Sequence, residues 1–164
     1  MTRSKAPKFT QIGLVVAAAV TALVTAGTLA AAAPSPAVKT AIATRQANFK
    51  KMGAAMKTLN EQLKADAPNK AAMAGAAKAL LAAARAQPKL FPAGSGPSSG
   101  VKTEALANIW TDRATFDGQM TKLLGEANKL VGATSGGNAD AIRAQYKATG
   151  ASCSSCHRQF RADT

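Results

Sequence analysis

The architecture is written most plainly in SPAVKTAIATRQANFKKMGAAMKTLNEQL, residues 35–63. Ser35 stands as an N-cap with Pro36 at the first helical position, where the missing N–H of proline costs nothing. Val38, Ile42, Arg45, Phe49, Met52, Met56, Leu59 and Leu63 then follow at alternating steps of four and three. That is the heptad period of a helix whose seam faces partner helices. Arg45 alone breaks the apolar rule.

Working outward, three further helical segments are expected. Asp66 and Pro68 open an alanine-rich one with Met73, Ala77, Leu80, Leu81 and Ala84 inward, ending near Gln87. Residues 88–100 hold too many prolines and glycines for regular structure and form the one long connection, from which Phe91 turns inward. Thr103 with Glu104 is read as the cap of a third helix carrying Leu106, Ile109, Phe116, Met120, Leu123, Ala127 and Leu130, stopped by Gly132. Asn138 caps the fourth, with Ile142, Tyr146, Thr149, Cys153, Cys156 and Phe160 on one face. Four such segments and no alternating pattern predict an all-α fold, an antiparallel up-and-down four-helix bundle. Composition agrees: of 164 residues 47% are hydrophobic and only 4% aromatic, which disfavours β sandwiches and barrels as well as disorder.

Ahead of the bundle, Arg3, Lys5 and Lys8 precede an uncharged run from Phe9 to Val38, whose apolar part, Ile12 to Leu29, gives way to four alanines, Ala30 to Ala33. This is the pattern of a secretory signal, so residues 1–32 are read as a signal peptide and 33–164 as the mature domain; a retained anchor is the alternative. Either way the domain is placed outside the cytoplasm, in the periplasm. Removing residues 1–32 lowers the formal charge from +13 to +10. An exported basic domain without aromatic interleaving is not expected to bind nucleic acid. Anionic lipid, an acidic partner protein or plain solvation are the readings of that charge.

Cys153, Ser154, Ser155, Cys156 and His157 spell C-x-x-C-H, the attachment signature of a c-type haem. On a helix both thiols and the imidazole project over one arc, so two thioethers and one iron ligand come from one turn. A redox dithiol prefers the start of a helix after a strand, zinc lacks a fourth ligand, and a disulfide at this spacing is strained. His157 is the only histidine. The sixth iron position therefore falls to methionine, to an exogenous ligand or to nothing, and Met52, Met56, Met73 and Met120 all sit at core spacing. Arg45, one turn before Phe49, needs an anion or a route to solvent.

These residues resemble the cytochrome c′ family, the class II cytochromes c. The pieces that match are Arg45 to Phe49 with Met52 and Gly53, Leu90 to Gly94, Ile109 with Trp110, and Cys153 to Arg161. The resemblance implies one covalent haem c per chain near the C-terminus of the bundle, held by Cys153, Cys156 and His157. It further implies Arg45 on a propionate, Arg161 near the proximal face and Phe49 over the distal face. Family members with Met at that last position are usually six-coordinate, whereas Phe cannot ligate iron. The expectation is five-coordinate, high-spin iron that binds nitric oxide or carbon monoxide and carries single electrons, without enzymatic turnover. A six-coordinate low-spin electron carrier with a Met ligand is the alternative. Expected partners are a small diatomic gas, a redox partner protein and, as the resemblance implies, a second copy in a homodimer, whose close approach Gly53 and Gly75 would permit.

Overall fold

The computed structural model describes residues 1–2 and 33–163, so the expected signal segment lies outside the described residues. Helix α1 spans Pro36–Lys64, α2 Lys70–Ala86, α3 Asn108–Thr111, α4 Arg113–Gly136 and α5 Ala139–Phe160. The four long helices form the expected bundle, with α2 between α1 and α4, and α5 against α4 and α1. Short 3₁₀ turns at Gln87–Leu90 and Pro97–Ser99 punctuate the connection.

The cap of α1 is as read, with the Val38 N–H donating to Ser35 Oγ at 3.3 Å. Of its seam, Ile42, Arg45, Met52, Leu59 and Leu63 are buried, and Asn48 and Ala55 join them because a straight helix drifts from a strict heptad. The main core is aliphatic, built from α1, α2 and α4 with Ile142 of α5. A second, aromatic cluster of Phe91, Ile109, Phe116, Met120 and Phe160 lies at one end.

Three boundaries differ from expectation. The cap of α2 is Asn69, whose side chain accepts from the Ala72 N–H at 2.9 Å, rather than Asp66 with Pro68. Thr103 and Glu104 do not open a helix. Residues 104–106 instead pair with the end of α5: Leu106 N–H donates to Phe160 O at 3.0 Å and Ala162 N–H to Glu104 O at 2.8 Å. Those backbone groups are then unavailable to a helix, which starts only at Asn108 and breaks at Asp112 (φ −120°, ψ 55°). Finally, α4 runs through Gly132 to Gly136. An interior glycine weakens a helix by about 1 kcal/mol without ending it, and the left-handed cap falls to Gly137 at φ 70°.

Candidate functional site

The segment from Cys153 to His157 occupies the last two turns of α5. Its thiols look into different surroundings. Cys153 packs on the aliphatic core and Cys156 on the aromatic cluster, while Phe49 of α1 touches both. Both cysteines are free and only partly exposed. Burial raises the Cys153 thiol, and burial together with the neighbouring Cys153 pushes Cys156 up to about 11. Such thiols are protonated at neutral pH, the reverse of what a thiolate-based redox pair needs. Among the described residues no three His, Cys, Asp or Glu side chains converge, so a zinc cluster has no basis either.

The Phe49 ring stands edge-on to the His157 imidazole, with centroids 6.4 Å apart and planes at 71°. It also meets Phe91 at 6.5 Å, and Phe91 packs on Phe116 at 4.7 Å. His157 is exposed on its outer side, yet burial of its inner side and the nearby Arg161 lower its pKa, against a smaller opposing pull from Glu104. The imidazole is therefore kept neutral at pH 7, the form in which a ring nitrogen ligates a metal.

Among the described residues Arg45 is the most buried cation, with 2% of its surface exposed. Its guanidinium is satisfied by oxygens of the connection: Nη1 donates to Ser95 Oγ at 2.9 Å, and Nη2 to Ser95 O at 2.7 Å and Thr103 Oγ1 at 2.8 Å. A longer bond reaches Leu90 O, and the group lies 4.7 Å over the Phe91 ring. All these acceptors are neutral, and burial lowers the Arg45 pKa. Arg45 thus fastens the connection to α1 one turn before Phe49, in step with Trp110 Nε1, which donates to Pro92 O at 2.9 Å.

Arg161 follows α5 and pairs with Glu104 at 2.7 Å, beside the Ala105–Arg161 bridge. Asn108 Nδ2 donates to Gln159 O at 2.8 Å. Segment 104–108 therefore clamps the end of α5 that presents His157. The structure thus brings Cys153, Cys156, His157, Phe49 and Arg161 to one end of the bundle, with Arg45 anchoring the loop beside them.

Sequence reading missed Ser95, Thr103 and Glu104 as partners of these residues. Only Glu104 carried a signal, being an acid in a chain with just 8 acidic residues. A serine between two glycines gives no hint of a buried arginine 50 positions away.

The donor set fits a c-type haem. Two protonated thiols one turn apart face apolar surroundings, a neutral imidazole adjoins them, and an aromatic wall faces that imidazole. Comparison with known proteins points the same way. The Cytochrome C′ family profile matches residues 40–161. A cytochrome c′ of Rhodospirillum rubrum is 34% identical over 150 residues, which is 92% of this chain and 98% of the relative. Among solved structures, a cytochrome c′ described by its ligand-controlled dimer dissociation superposes with a TM-score of 0.72 at 28% identity, covering 80% of this chain and all of that one. The nitric oxide complex of a leucine-to-alanine variant of cytochrome c′ from Alcaligenes xylosoxidans superposes at 0.70 and 24% identity, covering 77% of this chain and 97% of that one.

Proposed function

The chain belongs to the cytochrome c′ family, and we propose that it is an exported, non-catalytic gas-binding and one-electron haem protein of the periplasm. Cys153 and Cys156 would hold one haem c through thioethers, and His157 would supply the single protein ligand to iron. When bound, that group supplies reversible electron uptake and affinity for small neutral diatomic molecules at iron.

The observation that carries this reading is the Phe49 ring facing His157. Phenylalanine has no donor atom, so it keeps water out and gives no hydrogen bond to dioxygen or an anion. A neutral gas needs only to displace the ring at modest packing cost. Met52 is 6% exposed within the aliphatic core, which favours a structural role for it over iron ligation. The pairing of Arg45 with a propionate stays part of the proposal, on the family resemblance; it would require a share of the hydrogen bonds that now hold the connection.

An acidic redox partner suits the basic surface. Homodimerisation enters with a condition. A side chain added at Gly53 or Gly75 meets nothing within 4 Å, which leaves room for a second copy, but the lysines around them make such pairing weaken as ionic strength falls.

Optical spectra of the purified ferric and ferrous protein, with and without nitric oxide, test the reading. Broad high-spin bands that shift on adding the gas are expected. A sharp low-spin spectrum with a methionine-to-iron charge-transfer band overturns five-coordination, and a colourless product from a host that matures c-type cytochromes overturns the haem.

A further inference from the structure

At one end of the bundle α1 stops at Lys64 and α4 at Gly136, while α2 starts at Lys70 and α5 at Ala139. The two turns that join these pairs frame a cleft of about 300 Å³. It lies away from the Cys153–His157 segment, since Arg143 on its wall and His157 are about 21 Å apart along α5 at 1.5 Å per residue. Leu63, Met73 and Ile142, one from each of three helices, form its apolar floor, and Asp66, Lys70 and Arg143 stand exposed around it.

Two cations against one acid leave this lining at +1. Although Asp66 shares the cleft, it pairs with neither cation: among the described residues the ion pairs are Lys57–Glu61, Arg113–Asp117, Lys129–Glu126 and Arg161–Glu104. Arg143 makes one long hydrogen bond, Nη2 donating to Leu63 O at 3.4 Å, which holds its guanidinium beside the floor. Lys70 lies along Gly137, where a Cβ would meet its Nζ at 3.7 Å and its Cδ and Cε at 4.0 Å. The lysine thus reaches from α2 to the α4–α5 turn, over a glycine at φ 70° that has no side chain to push it away. Backbone dipoles do not decide what charge the cleft prefers, because two helices end here and two begin. The side chains decide it.

We propose that this cleft binds a small monocarboxylate with a short apolar tail. The carboxylate meets Arg143 and Lys70, whose other N–H groups are free to donate, and the tail lies on Leu63, Met73 and Ile142. At about 30 Å³ for each water-sized atom, the cleft takes about ten non-hydrogen atoms, the size of hexanoate or benzoate. An inorganic anion would leave the floor uncovered, and a neutral alcohol would leave both cations unanswered. Asp66 adds a repulsion that a second carboxylate on the ligand would aggravate.

Amide NMR shifts of the haem-loaded protein, titrated with sodium hexanoate, test this, with hexanol and sodium chloride at equal concentrations as comparisons. Saturable shifts confined to residues 63–73 and 137–143 are expected, with a dissociation constant on the order of 1 mM for so few ligand atoms. K70Q and R143Q should each weaken hexanoate binding about threefold, and D66N should tighten it about twofold, as expected for exposed charges. K122Q, on the solvent side of α4, should leave it unchanged. Haem absorbance should stay constant throughout, because the cleft and His157 stand apart. No saturable shift below about 20 mM overturns the proposal, as do equal binding of hexanol, the same shifts with sodium chloride, or hexanoate binding that neither K70Q nor R143Q weakens. Shifts centred on residues 153–161 together with a moving haem band also overturn it, placing the anion at the iron instead.

Discussion

At the scale of the residue, Arg45 shows how a single odd member of a seam organises what surrounds it. Its position in the heptad was legible, but the sequence asked there for an anion or a route to solvent, whereas the structure supplies neutral oxygen partners. Their identity was not legible, because Ser95 and Thr103 lie in a segment whose path no periodicity encodes. Replacing Arg45 with leucine removes the charge and strands the buried Ser95 carbonyl, while Ser95 Oγ keeps Pro92 O and Thr103 Oγ1 keeps the Ala105 N–H, so a loss of about 1–3 kcal/mol is expected. Thermal or denaturant unfolding of R45L checks this, and a change below about 1 kcal/mol would mean that water replaces the guanidinium without cost. Phe49 is the complementary case. Its character was fully legible, and its consequence is chemical: F49M places a thioether where the wild type has a ring. The expected outcome is conversion to a low-spin, six-coordinate spectrum with loss of carbon monoxide affinity. An unchanged high-spin spectrum would show that the position does not look onto the iron.

At the scale of the element, the sequence spoke clearly where periodicity was long and poorly where tertiary contacts overrule it. The four long helices follow from their apolar seams. The start of the third long segment was misplaced because backbone groups of residues 104–106 are claimed by Phe160 and Ala162, a pairing between segments more than 50 residues apart that local signals do not carry. Glycines divide along the same line. A Cβ at Gly96 would stand 2.9 Å from Cζ3 of Trp110, whose indole N–H is already fixed on Pro92. Gly75, inside α2, meets nothing within 4 Å and carries only the entropic cost of glycine in a helix. G96A should therefore destabilise by about 1–3 kcal/mol through overpacking, while G75A should stabilise by about 0.5–1 kcal/mol. Denaturant midpoints of the two variants moving in the same direction would contradict this account of the connection.

At the scale of the whole molecule, protonation is the variable that reaches every part of this structure, and each contribution has a definite sign. Burial and Arg161 hold the His157 pKa below its ordinary value, so the unfolded chain takes up that proton more readily than the folded one. The resulting stability is fully present above the unfolded value of about 6.5 and is lost as pH falls through it toward the lowered folded value. Ligation of iron by His157, as proposed above, would act in the same direction, because a metal and a proton would compete for one ring nitrogen. Glu126 extends the trend into the carboxylate range. The Gln145 amide donates to it at 2.6 Å and Lys129 pairs with it, so its folded pKa is lowered and its contribution is also lost on acidification. Neutralising the acids further leaves 18 basic side chains in residues 33–163 facing one another, a repulsion that salt relieves. The melting temperature of the haem-loaded protein should accordingly fall in two stages from pH 7 to pH 4, the upper stage accompanied by a change in haem absorbance and the lower one steeper at low ionic strength. E126Q should flatten the lower stage alone, because it removes the carboxylate without touching His157. A melting temperature that is level or rises on acidification would mean that neither group is better ionised, or better neutral, in the fold than in the free chain.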